Sequence, residues 1–284
     1  MEEMEFALEA VEVTAQAIVF LLLSLTFRAT VRAATTRQLT FFKVYSQNFG
    51  ALFYGWILDF ARADQSLRVR APYILVLASY TTAIAVLFGT SHARMESVSD
   101  EMMFPALFLG GTFMQLLLAD DETRSLRHFL FAPLAVGLLW LIIAGTELHL
   151  GLARFQDVFE YTYLGLTSVP VFFALAFSVV IAFTFIAGSH VRRSGWQKLL
   201  EDVSGVALLA PVLAIFLNEG TGGVGWSPTI LWSVKAGVIL GTFDIFRMFF
   251  PQFGMRQPET ALVRFAFPLS SILFFVMWAT RVTP

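Results

Sequence analysis

Residues 232–250 read WSVKAGVILGTFDIFRMFF. As a helix rising 1.5 Å per residue, this stretch is about 28 Å long, close to the roughly 30 Å of hydrocarbon in a bilayer. It is apolar enough to lie there, yet it carries Lys235, Asp244 and Arg247. Ionisable groups at membrane depth are costly and face partners, water or a functional path. The stretch therefore raises two questions: whether the whole chain is a membrane bundle, and which of its charges has work to do.

Composition answers the first. Of 284 residues, 57% are hydrophobic and 14% are charged, against about 25% charged in an average soluble domain. Mean hydropathy is +0.72. Runs of 16–27 residues with few charges recur along the chain, and each approaches the roughly 20 residues that a spanning helix needs. The alternating 10-residue pattern of a β-barrel is not present. The fold class is thus all-α, a polytopic transmembrane helical bundle forming one integral membrane domain. With no cysteine, disulfides, thiolate catalysis and Cys-ligated metals are excluded. A net charge of −2 points to no nucleic-acid partner. The acidic start MEEMEFALEAVE lacks the basic region of a secretory signal, so no cleavage is expected there.

Eight spans are expected near 6–27, 72–90, 102–118, 128–146, 162–188, 203–218, 229–250 and 265–280. A ninth apolar segment, 39–61, contains Lys43, Gln47, Asn48 and Asp59. Basic residues decide its placement, because cytoplasmic loops carry an excess of Lys and Arg. If 39–61 does not cross, fifteen of the nineteen Lys and Arg fall on one side, three on the other and Lys235 in between. The inner side then holds Arg28, Arg32 and Arg37 in the loop after the first span, and Arg124, Arg127, Arg192, Arg193, Arg256 and Arg264 further on. The expectation is eight spans with both termini external, plus one interfacial or re-entrant amphipathic helix near 39–61. The setting is a plasma or bacterial inner membrane, with the lipid bilayer as first partner.

The three charges of 232–250 differ in depth and phase. Lys235 is six residues from the outer end of its span, and its long stem can snorkel. Glu219, across the turn EGTGGVGWSP, is its expected counter-ion. Asp244 is similarly deep from the inner end, but its single methylene reaches little; Arg247, at i+3, is the expected partner. Gly237 and Gly241 form a GxxxG face that admits a close helix neighbour, and Asp244 continues that face. Through it a second copy of the chain or another membrane subunit is expected to pack.

Other candidate residues are weaker. His92 and His149 sit at outer span ends and His128 and His190 at inner ones. Imidazole ligates metals and haem, but no i, i+4 pair or HExxH is formed. These four are candidate ligands, with interfacial polar residues as the plainer reading, and no metal site or cofactor is specified. The run Asp120-Asp121-Glu122 offers oxygen ligands of the Mg²⁺ or Ca²⁺ type. It looks like half of the paired acidic motifs of membrane prenyltransferases, but no second Asp-rich motif accompanies it. Thr112 and Gln115 are the polar groups of the third span. Pro133, Pro170 and Pro211 are expected to kink their helices, whereas Pro105 and Pro268 fall in first turns.

A lysine in the seventh span resembles microbial rhodopsins, which have an external N-terminus and a retinal-binding lysine in helix seven. The turn NEGTGG after APVLAIFL is loosely similar to their sixth-to-seventh connection. The resemblance would imply retinal on Lys235. The chain departs from that pattern at Leu231, four before the lysine, where the family has Asp. It departs also in GVALLAP, which lacks the retinal-box aromatics, in a third span without an acidic counter-ion, and in having an eighth span. Three functions remain as expectations. The first is a transporter or channel for a small solute or ion, with Asp244 in the bundle interior. The second is a non-catalytic helix-packing subunit of a larger membrane complex. The third, a membrane lipid-modifying enzyme, has the poorest motif support; catalytic residues are not specified.

Overall fold

The protein is described by a computed structural model covering residues 2–37, 67–90, 102–118, 126–152, 163–188, 196–218, 226–249 and 262–280. The described part is all-helical, with eight helices and no strand. They are α1 (Glu2–Arg37), α2 (Leu67–Thr90), α3 (Met103–Leu117), α4 (Leu126–Leu150), α5 (Val169–Gly188), α6 (Trp196–Phe216), α7 (Trp226–Phe249) and α8 (Phe267–Ala279). Each coincides with one expected span. Four of them, through Ala10–Arg28, Ala71–Phe88, Phe131–Leu150 and Val169–Ile186, are long and apolar enough to cross a membrane. The segment 39–61 lies outside the described residues, as does Asp120-Asp121-Glu122.

Two expected boundaries are corrected. Helix α1 does not end at Phe27 but runs on to Arg37. The stretch FRATVRAATTR contains no Gly or Pro to stop it, so Arg28, Arg32 and Arg37 are helical rather than in a loop. Helix α5 begins at Val169, not 162. Tyr163 takes left-handed dihedrals, φ 49° and ψ 50°, and a 3₁₀ turn follows at Leu164–Leu166. Pro170 is consequently the second residue of α5, where proline is tolerated, and not an interior kink. Pro133 and Pro211 do fall inside α4 and α6.

Helix α6 is the axle of the bundle. Every residue from Val203 to Phe216 is buried, as expected of a helix apolar all round. It packs against α1, α2, α3, α5 and α7. Around it, contacts fix the direction of each neighbour. Phe27 and Val31 of α1 meet Gly237 and Gly241 of α7 in ascending order, so α1 and α7 run parallel. Gly145 meets Phe274 and Met277, and His149 meets Thr280, so α4 and α8 run parallel. Phe131, early in α4, stacks on Phe185, late in α5; Ile186 then abuts Gly205, early in α6. Lys235, in the first half of α7, reaches Leu217 just past the end of α6. Successive helices from α4 to α8 therefore alternate in direction.

The same holds at the other end of the chain. Phe88, late in α2, contacts Phe20 of α1. Tyr80, eight residues earlier, hydrogen-bonds Ser204, beside the Asp202 that binds Arg28. Going from Tyr80 to Phe88 thus follows α1 backwards, from Arg28 to Phe20. Helices α1 and α2 are antiparallel, and Arg37 and Leu67 lie at one end of the bundle.

The glycine pair explains how close α1 comes. A Cβ on Gly237 would overlap the Cβ of Phe27, and one on Gly241 would sit 2.5 Å from a methyl of Val31. The face expected to receive a second copy or another subunit is filled by α1 of the same chain.

Candidate charge site between the first, sixth and seventh helices

The close approach of α1 and α7 brings Arg28 over Asp244. Its Nε donates to one carboxylate oxygen at 2.9 Å and its Nη2 to the other at 3.0 Å. This two-pronged geometry matches the fork of a guanidinium to a carboxylate. The third branch, Nη1, donates to Asp202 of α6 at 2.7 Å. Arg28 is 3% exposed and Asp244 7%, while the Asp202 side chain is 25% exposed. One guanidinium thus bridges carboxylates from two different helices. All three groups lie at the same level, where α1 and α7 approach their ends and α6 has made less than two turns.

Sequence reasoning placed Asp244 on the glycine face, and that is the face that meets α1. It paired Asp244 with Arg247; in the structure both Asp244 oxygens accept from Arg28, 216 residues away in sequence. The Arg247 side chain lies outside the described part. Arg28 and Asp202 fall just outside the expected spans 6–27 and 203–218, so neither was matched to Asp244. The run WQKLLEDV carried the signal for Asp202: Trp196, Leu199, Leu200 and Val203 recur at helical spacing, so α6 begins at Trp196.

Lys235 works at the opposite end of α6. Its Nζ donates to the Leu217 carbonyl at 2.9 Å and stands 4.9 Å from the centre of the Tyr163 ring. The Tyr163 N–H in turn donates to the Asn218 carbonyl at 2.7 Å. A cation at the unsatisfied carbonyls of a helix C-terminus complements the helix dipole, and the ring face adds a cation–π contact. Lys235 is thus directed at α6, and it is separated from Asp244 by nine residues of α7, about 13 Å of rise. Glu219 is outside the described residues.

A third polar cluster lies where α2, α3 and α6 meet. The Tyr80 hydroxyl donates to Gln115 Oε1 at 2.7 Å and lies 3.2 Å from Thr112 Oγ1; Ser204 joins it. Gln115 and Thr112 were visible in the sequence as polar residues of a span, whereas Tyr80 and Ser204 had no such mark. Of the histidines, His149 shares a hydrogen bond with Thr280 Oγ1 through Nδ1 at 3.1 Å. His128 is in the first turn of α4, with its side chain outside the described part, and His92 and His190 are outside it entirely. Among the described residues no three His, Asp or Glu side chains converge as a metal site would require.

Of the Arg28 trio only the carboxylates can gain or lose a proton, because a guanidinium stays protonated in proteins. Comparison of the chain with protein-family profiles and with curated proteins finds no match to either.

Proposed function

We propose that the chain is an eight-span membrane protein that moves a proton or small cation, using the Arg28–Asp202–Asp244 trio as its charge-compensated site. The observation that carries this reading is a buried guanidinium shared between carboxylates from two different helices. Ionisable groups at membrane depth are costly and face partners, water or a functional path. A carboxylate that is partly exposed, as Asp202 is, is suited to take up and release a positive charge. Support for eight spans comes from the alternating helix directions and from the excess of basic residues at one set of loops. The same bias favours external termini in a plasma or bacterial inner membrane. Arg37 and Leu67 lie at one end of the bundle, as an interfacial or re-entrant helix at 39–61 requires. The test is cation and proton flux into vesicles holding the purified protein: Asp202→Asn should abolish or strongly reduce it.

A second reading, a helix-packing subunit of a larger complex, is favoured by a different observation. Val169, Phe172, Phe173 and Val180 of α5, and Ile272, Phe275 and Trp278 of α8, are exposed. With the Gly237/Gly241 face occupied, another membrane subunit or a second copy would pack on those rows. Purification with a stoichiometric partner, together with absence of flux from the purified chain, would favour this reading over the first.

A further inference from the structure

The outward side of α8 carries one ordered stripe. Arg264 lies in the π-helical turn Leu262–Ala266 that leads into the helix, and it is exposed. Phe265, Leu269, Ile272 and Val276 follow at helical spacing, all exposed, and the exposed Trp278 ends the row. Ser271, a polar residue beside them, turns its hydroxyl back to the Phe267 carbonyl. The opposite side, with Ala266, Ser270, Leu273 and Met277, is buried. A cation, then apolar side chains, then an indole is the order met on crossing a bilayer from its cytoplasmic side. From Arg264 to Trp278 is about 21 Å, and the long arginine stem carries its guanidinium further.

A second exposed indole, Trp226, opens α7. Asp244 lies eighteen residues further along α7, about 27 Å away. A separate route through the bundle gives the height of Trp278. Gly145 of α4 faces Phe274 and Met277. Phe131, about 21 Å lower on α4, stacks on Phe185. The adjoining Ile186 abuts Gly205 of α6, one turn from Asp202. Trp278 is therefore about 30 Å above Asp202. The two indoles share one level to within a few Å, and that level is one hydrocarbon thickness, roughly 30 Å, from the Arg28 cluster.

We propose that the Arg264–Trp278 stripe of α8 is a phospholipid-facing surface, with both indoles at the outer headgroup level and Arg264 reaching inner-leaflet phosphates, so that the Arg28 cluster sits at the inner hydrocarbon boundary rather than at mid-membrane. An indole favours the headgroup level because its body is apolar and its N–H is polar. A guanidinium fits a phosphate with two parallel N–H bonds. A subunit interface would surround an apolar centre with a polar rim, whereas this row stays apolar to its two ends. The outward residues of α7 repeat the order. Ile230, Leu231 and Val238 are exposed below Trp226, and the exposed Thr242 beneath them bonds its hydroxyl to the Val238 carbonyl. The same boundary accounts for the 25% exposure of the Asp202 side chain. The placement goes beyond transport and does not depend on it.

Because the chain has no cysteine, single nitroxide labels can read the environment of each position. Labels at 265, 269, 272, 276 and 278 of the full chain in phospholipid nanodiscs are compared by power saturation with oxygen and with a nickel chelate. The ratio of oxygen to nickel accessibility is expected to be highest at 269–272 and to fall severalfold towards both 265 and 278. On α7, labels at 231 and 238 are expected to show lipid-like ratios, and a label at 242 to be nickel-accessible. All of these side chains point outwards, so labelling spares the core, and five positions on one row keep the pattern readable if one variant fails to fold. Low access to both reagents along α8 means that protein covers the row, which overturns the lipid face in favour of a partner subunit. High nickel access along the row overturns it in favour of water. A maximal ratio at 242 puts the Arg28 cluster at mid-membrane and overturns the boundary.

Discussion

The geometry at Arg28 predicts an unequal response to deleting the three members of its cluster. Arg28→Met strips a shared cation from two carboxylates, one of them 7% exposed. Breaking a buried pair in this way costs about 3–5 kcal/mol. Asp244→Asn removes one charge-assisted, two-pronged acceptor but leaves the Arg28–Asp202 contact in place, so the loss is about 1.5–3 kcal/mol. Asp202→Asn leaves the buried Arg28–Asp244 pair intact and removes a partner that is one-quarter exposed; about 1 kcal/mol or less is expected. The triple replacement Arg28→Met/Asp202→Leu/Asp244→Leu should recover most of the Arg28→Met loss, because apolar substitution of a whole buried charge group is often neutral. Reversible unfolding in mixed SDS micelles, followed by tryptophan fluorescence, would measure the series. The reasoning is refuted if Arg28→Met is no more damaging than Asp202→Asn, or if the triple variant is less stable than Arg28→Met.

Three further predictions follow from other parts of the bundle. Gly241→Ala places a methyl 2.5 Å from Val31 and should cost about 1–3 kcal/mol. By contrast, Gly110→Ala and Gly137→Ala, with nothing within 4 Å of the added carbon, should be neutral or stabilise by up to about 1 kcal/mol; the same unfolding assay compares them. Lys235→Met removes the cation from the Leu217 carbonyl and the Tyr163 ring and should cost about 1–2 kcal/mol, with Lys235→Arg closer to wild type. Because the chain has no cysteine, single cysteines report topology directly. Cysteines at positions 37 and 67 should react with an impermeant maleimide from one side of the membrane, and cysteines at 2 and 281 from the other. Labelling of 37 and 67 from opposite sides would contradict the antiparallel arrangement of α1 and α2.

Apolar run length was enough to find the eight described helices, because burial in lipid or in a helical bundle demands the same continuous hydrophobicity. It was a poor guide to where helices stop. A hydropathy window closes at the first charge, so Arg28 and Asp202 were left outside their helices, although FRATVRAATTR and WQKLLEDV both continue the helical pattern. The site was hidden for the same reason. Asp244 could be placed on the glycine face from helical phase alone, but its partner depends on which helix fills that face. That is a long-range fact: α1 and α7 meet across 216 residues of sequence. The GxxxG motif signalled a close neighbour without saying whether it belonged to the same chain. Lys235 shows the limit differently. Its depth suggested snorkelling towards water, yet the end of α6 presents free carbonyls and an aromatic face within its reach, and these hold it.

The central claim is that the Asp202 carboxylate beside Arg28 carries a transported positive charge. Its most direct test is the electrical current from vesicles of wild type and Asp202→Asn adsorbed on a solid-supported membrane, driven by a proton or cation gradient. The account predicts a sustained current in wild type and none in Asp202→Asn, with both proteins equally folded and equally reconstituted. Equal currents from the two, or none from wild type under any gradient, would contradict it.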